Sequence, residues 1–241
     1  PDIEEQEARI AETAAGIVPF TYKRKSIVHA TMWSIGLELA LLVKDPWKVY
    51  LTTDHPNAAP FTTYPKIISW LMSSRARENV LKKINKKAKK RSLLTSIDRE
   101  YSLYDVAVAT RAGQAKALGM KNKGHLGFGA DADIAIYDLD PRKIDFSRDY
   151  RTVRRAFENS VYTIKNGEVV AKNGVIAKSV SGRTMWADTG ISSCTETASC
   201  PKILQDLRKQ FREYWTVELD NYFIPESFLK SSAPIPIKPE V

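Results

Sequence analysis

The stretch Trp47-Lys48-Val49-Tyr50-Leu51-Thr52, followed at once by Thr53-Asp54-His55-Pro56-Asn57-Ala58-Ala59-Pro60, decides how this chain is read. The first six residues are mostly aromatic, β-branched or apolar and read as a buried strand. The next eight form a polar, proline-bounded loop. A helical pattern starts at Tyr64, with Pro65 suited to a first turn and Ile67, Ile68, Leu71 and Met72 as its early apolar stripe. Strand, acidic residue, loop and helix make one βα unit. In a (β/α)8 barrel the chemistry gathers at the C-terminal ends of the strands, and Asp54 stands at that place.

Working outward, residues 2–14 are rich in Glu and Ala and read as a helix. Residues 32–43 are apolar on most faces, which suggests a buried helix ended by Asp45-Pro46. Glu38 lies inside that pattern, and a buried carboxylate needs a basic or hydrogen-bonding partner. Downstream, the pattern predicts one helix over 64–90 and another over 103–118, the latter stopped by Gly119. From Gly124 the texture becomes turn-rich, with a strand over 134–137. Asn166-Gly167 lies between β-type runs at 160–165 and 168–171, the strongest short hairpin signal. Asn173-Gly174 then leads into Val175-Ile176. Residues 201–214 read as a last helix before a proline-rich end. The expected organisation is 1–120, 121–185 and 186–241.

The chain has 241 residues, 43% of them hydrophobic, enough to bury a core without disulfides. Two cysteines, Cys194 and Cys200, are too few for a disulfide framework and suggest plain thiols in a reducing, cytoplasmic setting. No apolar run approaches the roughly 18 residues that span a bilayer. Pro1-Asp2-Ile3-Glu4-Glu5 carries no signal-peptide pattern. Net charge is +9, much of it in one run from Lys82 to Arg91. That run reads as a solvated helix face or a patch meeting an acidic neighbour in a complex. No aromatic residue interrupts it, so it lacks the stacking platforms of single-strand binders, and nucleic acid is not the expected partner.

Asp54 is the residue in this pattern best placed for chemistry, as a ligand to a divalent metal or as a group taking a proton from metal-bound water. His55, on the opposite side of an extended backbone, is then substrate-facing rather than a ligand to the same ion. Asn57 is a further candidate in the same loop. Read alone, Asp54 fits a turn starter or helix cap as well. The three His, at 29, 55 and 125, show neither His-x-His nor His-Glu-x-x-His spacing. A catalytic zinc takes about three protein ligands plus water, so the donor set falls short of a complete site. Gly127-Phe128-Gly129 precedes a strand, opposite to the order of a dinucleotide fold, and no P-loop or Gly-x-Ser-x-Gly elbow occurs.

Two stretches carry a resemblance. Gly124-His125-Leu126-Gly127-Phe128-Gly129-Ala130-Asp131-Ala132-Asp133-Ile134, preceded by Thr110-Arg111-Ala112-Gly113-Gln114-Ala115 and followed by the Lys165-Asn166-Gly167-Glu168 hairpin, resembles the end of amidohydrolase-superfamily chains. There the chain leaves the barrel and completes a small β-sandwich. Trp33-Ser34-Ile35-Gly36-Leu37-Glu38-Leu39, Asp45-Pro46-Trp47 and Leu51 to Asn57 resemble the family of formylmethanofuran dehydrogenase amidohydrolase subunits, with its formyltransferase/hydrolase relatives. Tyr214-Trp215-Thr216-Val217-Glu218-Leu219-Asp220-Asn221-Tyr222 resembles that family's tail. The resemblance implies an α/β chain: the C-terminal part of a (β/α)8 amidohydrolase barrel plus a small β-sandwich module, incomplete without an N-terminal half. It implies that Asp54 ligates a binuclear zinc site and assists proton transfer, with His55 and Asn57 toward substrate. The implied reaction is reversible formylation of methanofuran with formate, in the first step of methanogenesis from carbon dioxide. The implied partners are methanofuran, the N-terminal amidohydrolase half and other subunits of the complex. The chain departs from the family in having Ala58-Ala59 where Gly-Gly is usual, and in lacking the remaining metal ligands. A non-catalytic scaffold or assembly module is the alternative.

Overall fold

The structure, a computed structural model, describes residues 21–55, 57–182, 185, 187–188, 200–222 and 235–236. The helix expected over 2–14 lies outside them. The chain divides into two compact units, 1–180 and 181–241.

Helix α1 spans Ile27–Leu42, capped by Ser26, whose hydroxyl accepts from the His29 N–H. Its last carbonyls are satisfied from afar. The Arg99 guanidinium donates to the carbonyls of Leu41 and Val43, and the Tyr101 hydroxyl donates to that of Ala40 at 2.7 Å. Only one face is buried, through Ala30, Ser34, Leu37 and Leu41. The other leaves Val28, Met32, Ile35, Leu39 and Leu42 exposed, between 47 and 62%, a helical stripe rather than the all-round burial expected. Glu38 finds its partners in Ser34 Oγ at 2.6 Å, Ser92 Oγ at 2.9 Å and the Leu93 N–H at 2.8 Å. Burial pushes its carboxyl up, but these hydrogen bonds win and hold it below its ordinary value.

The single helix expected over 64–90 is three: α2 (Tyr64–Leu71), α3 (Ser74–Leu81) and α4 (Lys86–Arg91). Ser73 and Asn85 break the run. Their side chains accept from backbone N–H groups two or three residues on, which gives the chain new helix starts in place of continuation. The lysines of the basic run are exposed above buried Ile84 and Ala88, a solvated face. A Ser102–Asp105 capping box opens α5 (Leu103–Ala107), which passes through a π turn (Val108–Ala112) into α6 (Gly113–Ala117). Gly119, at φ 70°, ends it as expected. Helix α7 (Tyr150–Glu158), which the sequence pattern does not predict, packs on α2 and buries Val153 completely. Leu37, Leu41, Ile68, Leu71, Leu81 and Val153 share one core, each worth about 1.5–3 kcal/mol of burial.

The expected sandwich module takes the form of a small antiparallel sheet, β1 (Ile134–Ile136), β2 (Tyr162–Lys165), β3 (Glu168–Lys172) and β4 (Val175–Ile176), in that order. Asn166 and Gly167 turn β2 into β3 at φ 50° and 82°, the pairing that twisted strands favour. Asp133 fastens this hairpin to β1, accepting from Lys123 Nζ and Lys165 Nζ at 2.6 Å each and from the Asn166 N–H at 3.0 Å. Burial raises the Asp133 carboxyl, but the two ammonium groups and the N–H outweigh it and hold it well below the usual carboxylate range. The stabilisation is therefore complete above the ordinary Asp value of about 3.9 and is lost as pH falls through the depressed folded value. Asp133→Asn is expected to cost about 2 kcal/mol near neutrality, with the gap to wild type closing in strong acid. Urea titrations across pH check this, and a gap constant with pH would show that the Asp133 charge does not fasten the hairpin.

The strand expected over 47–52 does not form. Pro46–Lys48 is a 3-10 turn, and residues 49–54 run on without a sheet partner. A barrel strand needs parallel neighbours, and none pairs with this segment among the described residues. The (β/α)8 barrel is accordingly not seen there, and the described part of the first unit is an α/β arrangement with one small sheet. In the second unit, α8 (Cys200–Gln210) runs into a π turn (Phe211–Trp215). Arg208 pairs with Asp220 and Arg212 with Glu218. The same unit holds β5 (Ala187–Asp188) beside β6 (Ile235–Pro236), in parallel. Cys194 and the side chain of Cys200 lie outside the described residues. No described helix is long and apolar enough to cross a membrane.

Candidate functional site

Residues 49–54 are held by the π turn rather than by a sheet. The Leu51 N–H donates to the Ala109 carbonyl at 2.8 Å, and Gln114 Nε2 donates to the same oxygen at 2.6 Å. A π turn shifts the backbone pairing and frees such a carbonyl. The Tyr50 ring lies close against Gly113: a methyl there would stand 2.8 Å from Tyr50 Cε1 and 2.9 Å from the Val108 carbonyl oxygen. Gly113→Ala is expected to push residues 49–54 off their support at a cost of about 1–3 kcal/mol. The check is a lower urea midpoint, and an unchanged one would mean that the ring swings aside freely.

The segment ends at Asp54, whose φ of 47° turns the chain. Asp tolerates this left-handed conformation better than most residues. Two backbone bonds close the loop, from Ala58 N–H to Asp54 O at 3.1 Å and from Ala59 N–H to Thr53 O at 2.9 Å. Ala58 and Ala59 are not among the residues at positive φ, so their methyls cause no backbone strain; they line the cavity instead. The Asp54 side chain is exposed, and among the described residues its carboxylate makes no hydrogen bond or ion pair. His55 is exposed and stacked on Phe61, centroids 4.0 Å apart, with Phe61 in turn beside Tyr64. Asn57 is partly buried, and its Oδ1 has no partner. The loop therefore contains all three residues expected from sequence, and Asp54 opens onto solvent.

Asp54 borders a cavity of about 750 Å³, walled largely by apolar residues of α1 and α2 and by residues 48–54. Trp33 and Thr53 also line it, though Trp33 Nε1 and Thr53 Oγ1 are themselves buried and without partners. Buried polar atoms are nearly always paired, and these two are exceptions. Sequence reasoning missed both, since a tryptophan in an apolar helix reads as core. His29 lines the cavity too, but its Nδ1 accepts from the Lys23 N–H at 2.9 Å. His125 spends both ring nitrogens on backbone, at Gly127 N and Lys121 O, a structural role.

These side chains do not fit the binuclear zinc centre that the resemblance implies. Among the described residues no three His, Cys, Asp or Glu side chains converge, and Asp54 supplies one carboxylate where a catalytic zinc uses about three ligands.

The chain matches the amidohydrolase family over residues 6–171. It is 45% identical over 222 residues to Protein FwdA of Methanocaldococcus jannaschii, across 91% of this chain and 38% of that protein. It is 39% identical over 173 residues to the A component of the formyltransferase/hydrolase complex Fhc of Methylorubrum extorquens, across 72% of this chain and 30% of that one. The crystal structure of the formyltransferase/hydrolase complex FhcABCD from M. extorquens with methylofuran superposes with a TM-score of 0.72 at 30% identity. That match covers 92% of this chain and 38% of the other. The chain thus spans about two fifths or less of the length of the relatives it matches.

Proposed function

The chain belongs to the amidohydrolase family as an FwdA-like member, and from that premise we propose that it supplies the carboxylate-bearing rim of a site that hydrolyses and re-forms a formamide. The substrate class is a formylated furan amine of the methanofuran kind, in the first step of methanogenesis from carbon dioxide. The observation that carries this reading is the exposed Asp54 carboxylate, held by backbone bonds at the mouth of the 750 Å³ cavity. In hydrolysis Asp54 takes a proton from the attacking water and returns it to the amine nitrogen as the carbon–nitrogen bond breaks, releasing formate and amine. His55 and Asn57, which stand in the same loop though neither lines the cavity, are assigned to substrate.

The rest of a zinc site belongs, in this reading, to a further stretch of amidohydrolase polypeptide. Support comes from the stripe Val28, Met32, Ile35, Leu39 and Leu42, exposed beside the cavity at helical spacing. An apolar stripe of this kind marks a surface that another protein element covers. Other subunits of a formylmethanofuran dehydrogenase-type complex are the wider partners.

Co-expression with the N-terminal portion of an FwdA-type polypeptide tests the proposal. A complex that holds zinc and releases formate from formylmethanofuran is the expected result. A zinc-loaded complex without formate release would favour the scaffold alternative, and the absence of any complex would reject the shared site.

A further inference from the structure

A second cavity, of about 570 Å³, opens between α2, α3 and α7, and six cationic side chains line it: Arg24, Lys66, Lys83, Arg151, Arg154 and Arg155. One carboxylate, Glu158, shares the lining, and it is already engaged by Arg154 at 3.4 Å. Among the described residues no acidic side chain pairs with Arg24, Lys83 or Arg155. We propose that this pocket binds a multivalent oxyanion, such as a phosphate or polycarboxylate group.

The walls are built rather than incidental. Helix α7 turns Val153 fully into the core and so presents Arg151, Arg154 and Arg155 outward together. Asn79 Nδ2 donates to the Tyr150 hydroxyl at 3.0 Å, tying α3 to α7 along the pocket. The turn carrying Arg24 is pinned by Asn85, whose N–H donates to Arg24 O at 2.9 Å and whose Nδ2 donates to Lys25 O at 2.8 Å. The crowding is felt by Lys66, which lies half-buried over the Trp70 ring. Burial first, then Arg24 and Arg154, press its ammonium group below its ordinary proton affinity. A bound anion relieves this repulsion and meets guanidinium forks shaped for carboxylate and phosphate oxygens. The proposal uses residues other than the Asp54 loop and stands or falls apart from it. Arg24, Lys66, Trp70 and Val80 line both cavities.

The test is calorimetric titration of the full chain with inorganic pyrophosphate and, separately, tricarballylate, at low and at physiological salt. Saturable binding of either anion that weakens with salt is expected, and the tighter of the two assigns the oxyanion. Lys83→Gln with Arg155→Gln is expected to weaken binding about tenfold. Lys89→Gln with Lys90→Gln, an equal loss of charge on exposed α4 positions outside the pocket, should change it less than about twofold. The proposal is overturned if neither anion saturates, if both double variants lose affinity equally, or if an oligonucleotide binds more tightly than both anions.

Discussion

Asp54→Asn is expected to lower kcat for formamide hydrolysis by about 10²- to 10⁴-fold in the assembled enzyme, with the thermal midpoint essentially unmoved. The two halves of that expectation have separate physical grounds. Asparagine has the same shape and accepts the left-handed φ of 47° as readily as aspartate, so the turn keeps its conformation. The loop is closed by the Ala58 and Ala59 N–H groups, and the Asp54 side chain takes no part in that closure. What the substitution removes is basicity, because an amide neither takes the proton of an attacking water nor ligates a cation well. Parallel measurements of kcat and thermal unfolding separate chemistry from folding. Near-full turnover in this variant would take Asp54 out of the mechanism.

Arg77→Ala is expected to destabilise the first unit by about 3–5 kcal/mol, a large part of the 5–15 kcal/mol typical of a domain. Arg77 is 1% exposed. Its NH1 donates to the Trp70 carbonyl at 2.8 Å, and its NH2 donates to those of Ile97 and Arg99 at 3.1 and 3.0 Å. It thereby satisfies the C-terminal end of α2 and fixes the run that carries Arg99 and Tyr101 to the end of α1. Burial lowers its proton affinity, and Glu100 and Asp98 partly restore it. Truncation leaves the Trp70, Ile97 and Arg99 carbonyls without this donor, and opens a cavity. Arg77→Lys should recover only part of the loss, since one ammonium cannot span both sets of acceptors. The urea midpoint reads both variants. A loss below about 1 kcal/mol for alanine would show that residues 97–101 hold their place by other means.

Local signals in the sequence carry far. Asn166-Gly167 turns as a hairpin because both residues tolerate positive φ, and Gly119 stops its helix for the same reason. Glu38 is legible as a buried acid in need of hydrogen bonds, and it has three donors. The basic run from Lys82 stays solvated, as its pattern implies. Helix α7 escapes a reading by pattern because its core contribution rests on Val153 and the partly buried Phe157, set among charged residues. The run over 64–90 reads as one helix because Ser73 and Asn85 act as caps only once their side chains turn back on the following backbone.

By itself, then, the sequence determined the α/β class, the helices that start and stop on their own caps, the two Asn-Gly turns and the loop in which Asp54, His55 and Asn57 stand together. Tertiary structure alone decided that residues 49–54 lean on a π turn instead of pairing as a strand. It alone decided that Arg77 is core, that α1 exposes an apolar stripe, and that six cations from two helices and two turns face one pocket. The reason is range. Caps and turns are satisfied within four residues of themselves, whereas a strand, a buried guanidinium and a pocket depend on partners tens of residues away, which local pattern does not encode.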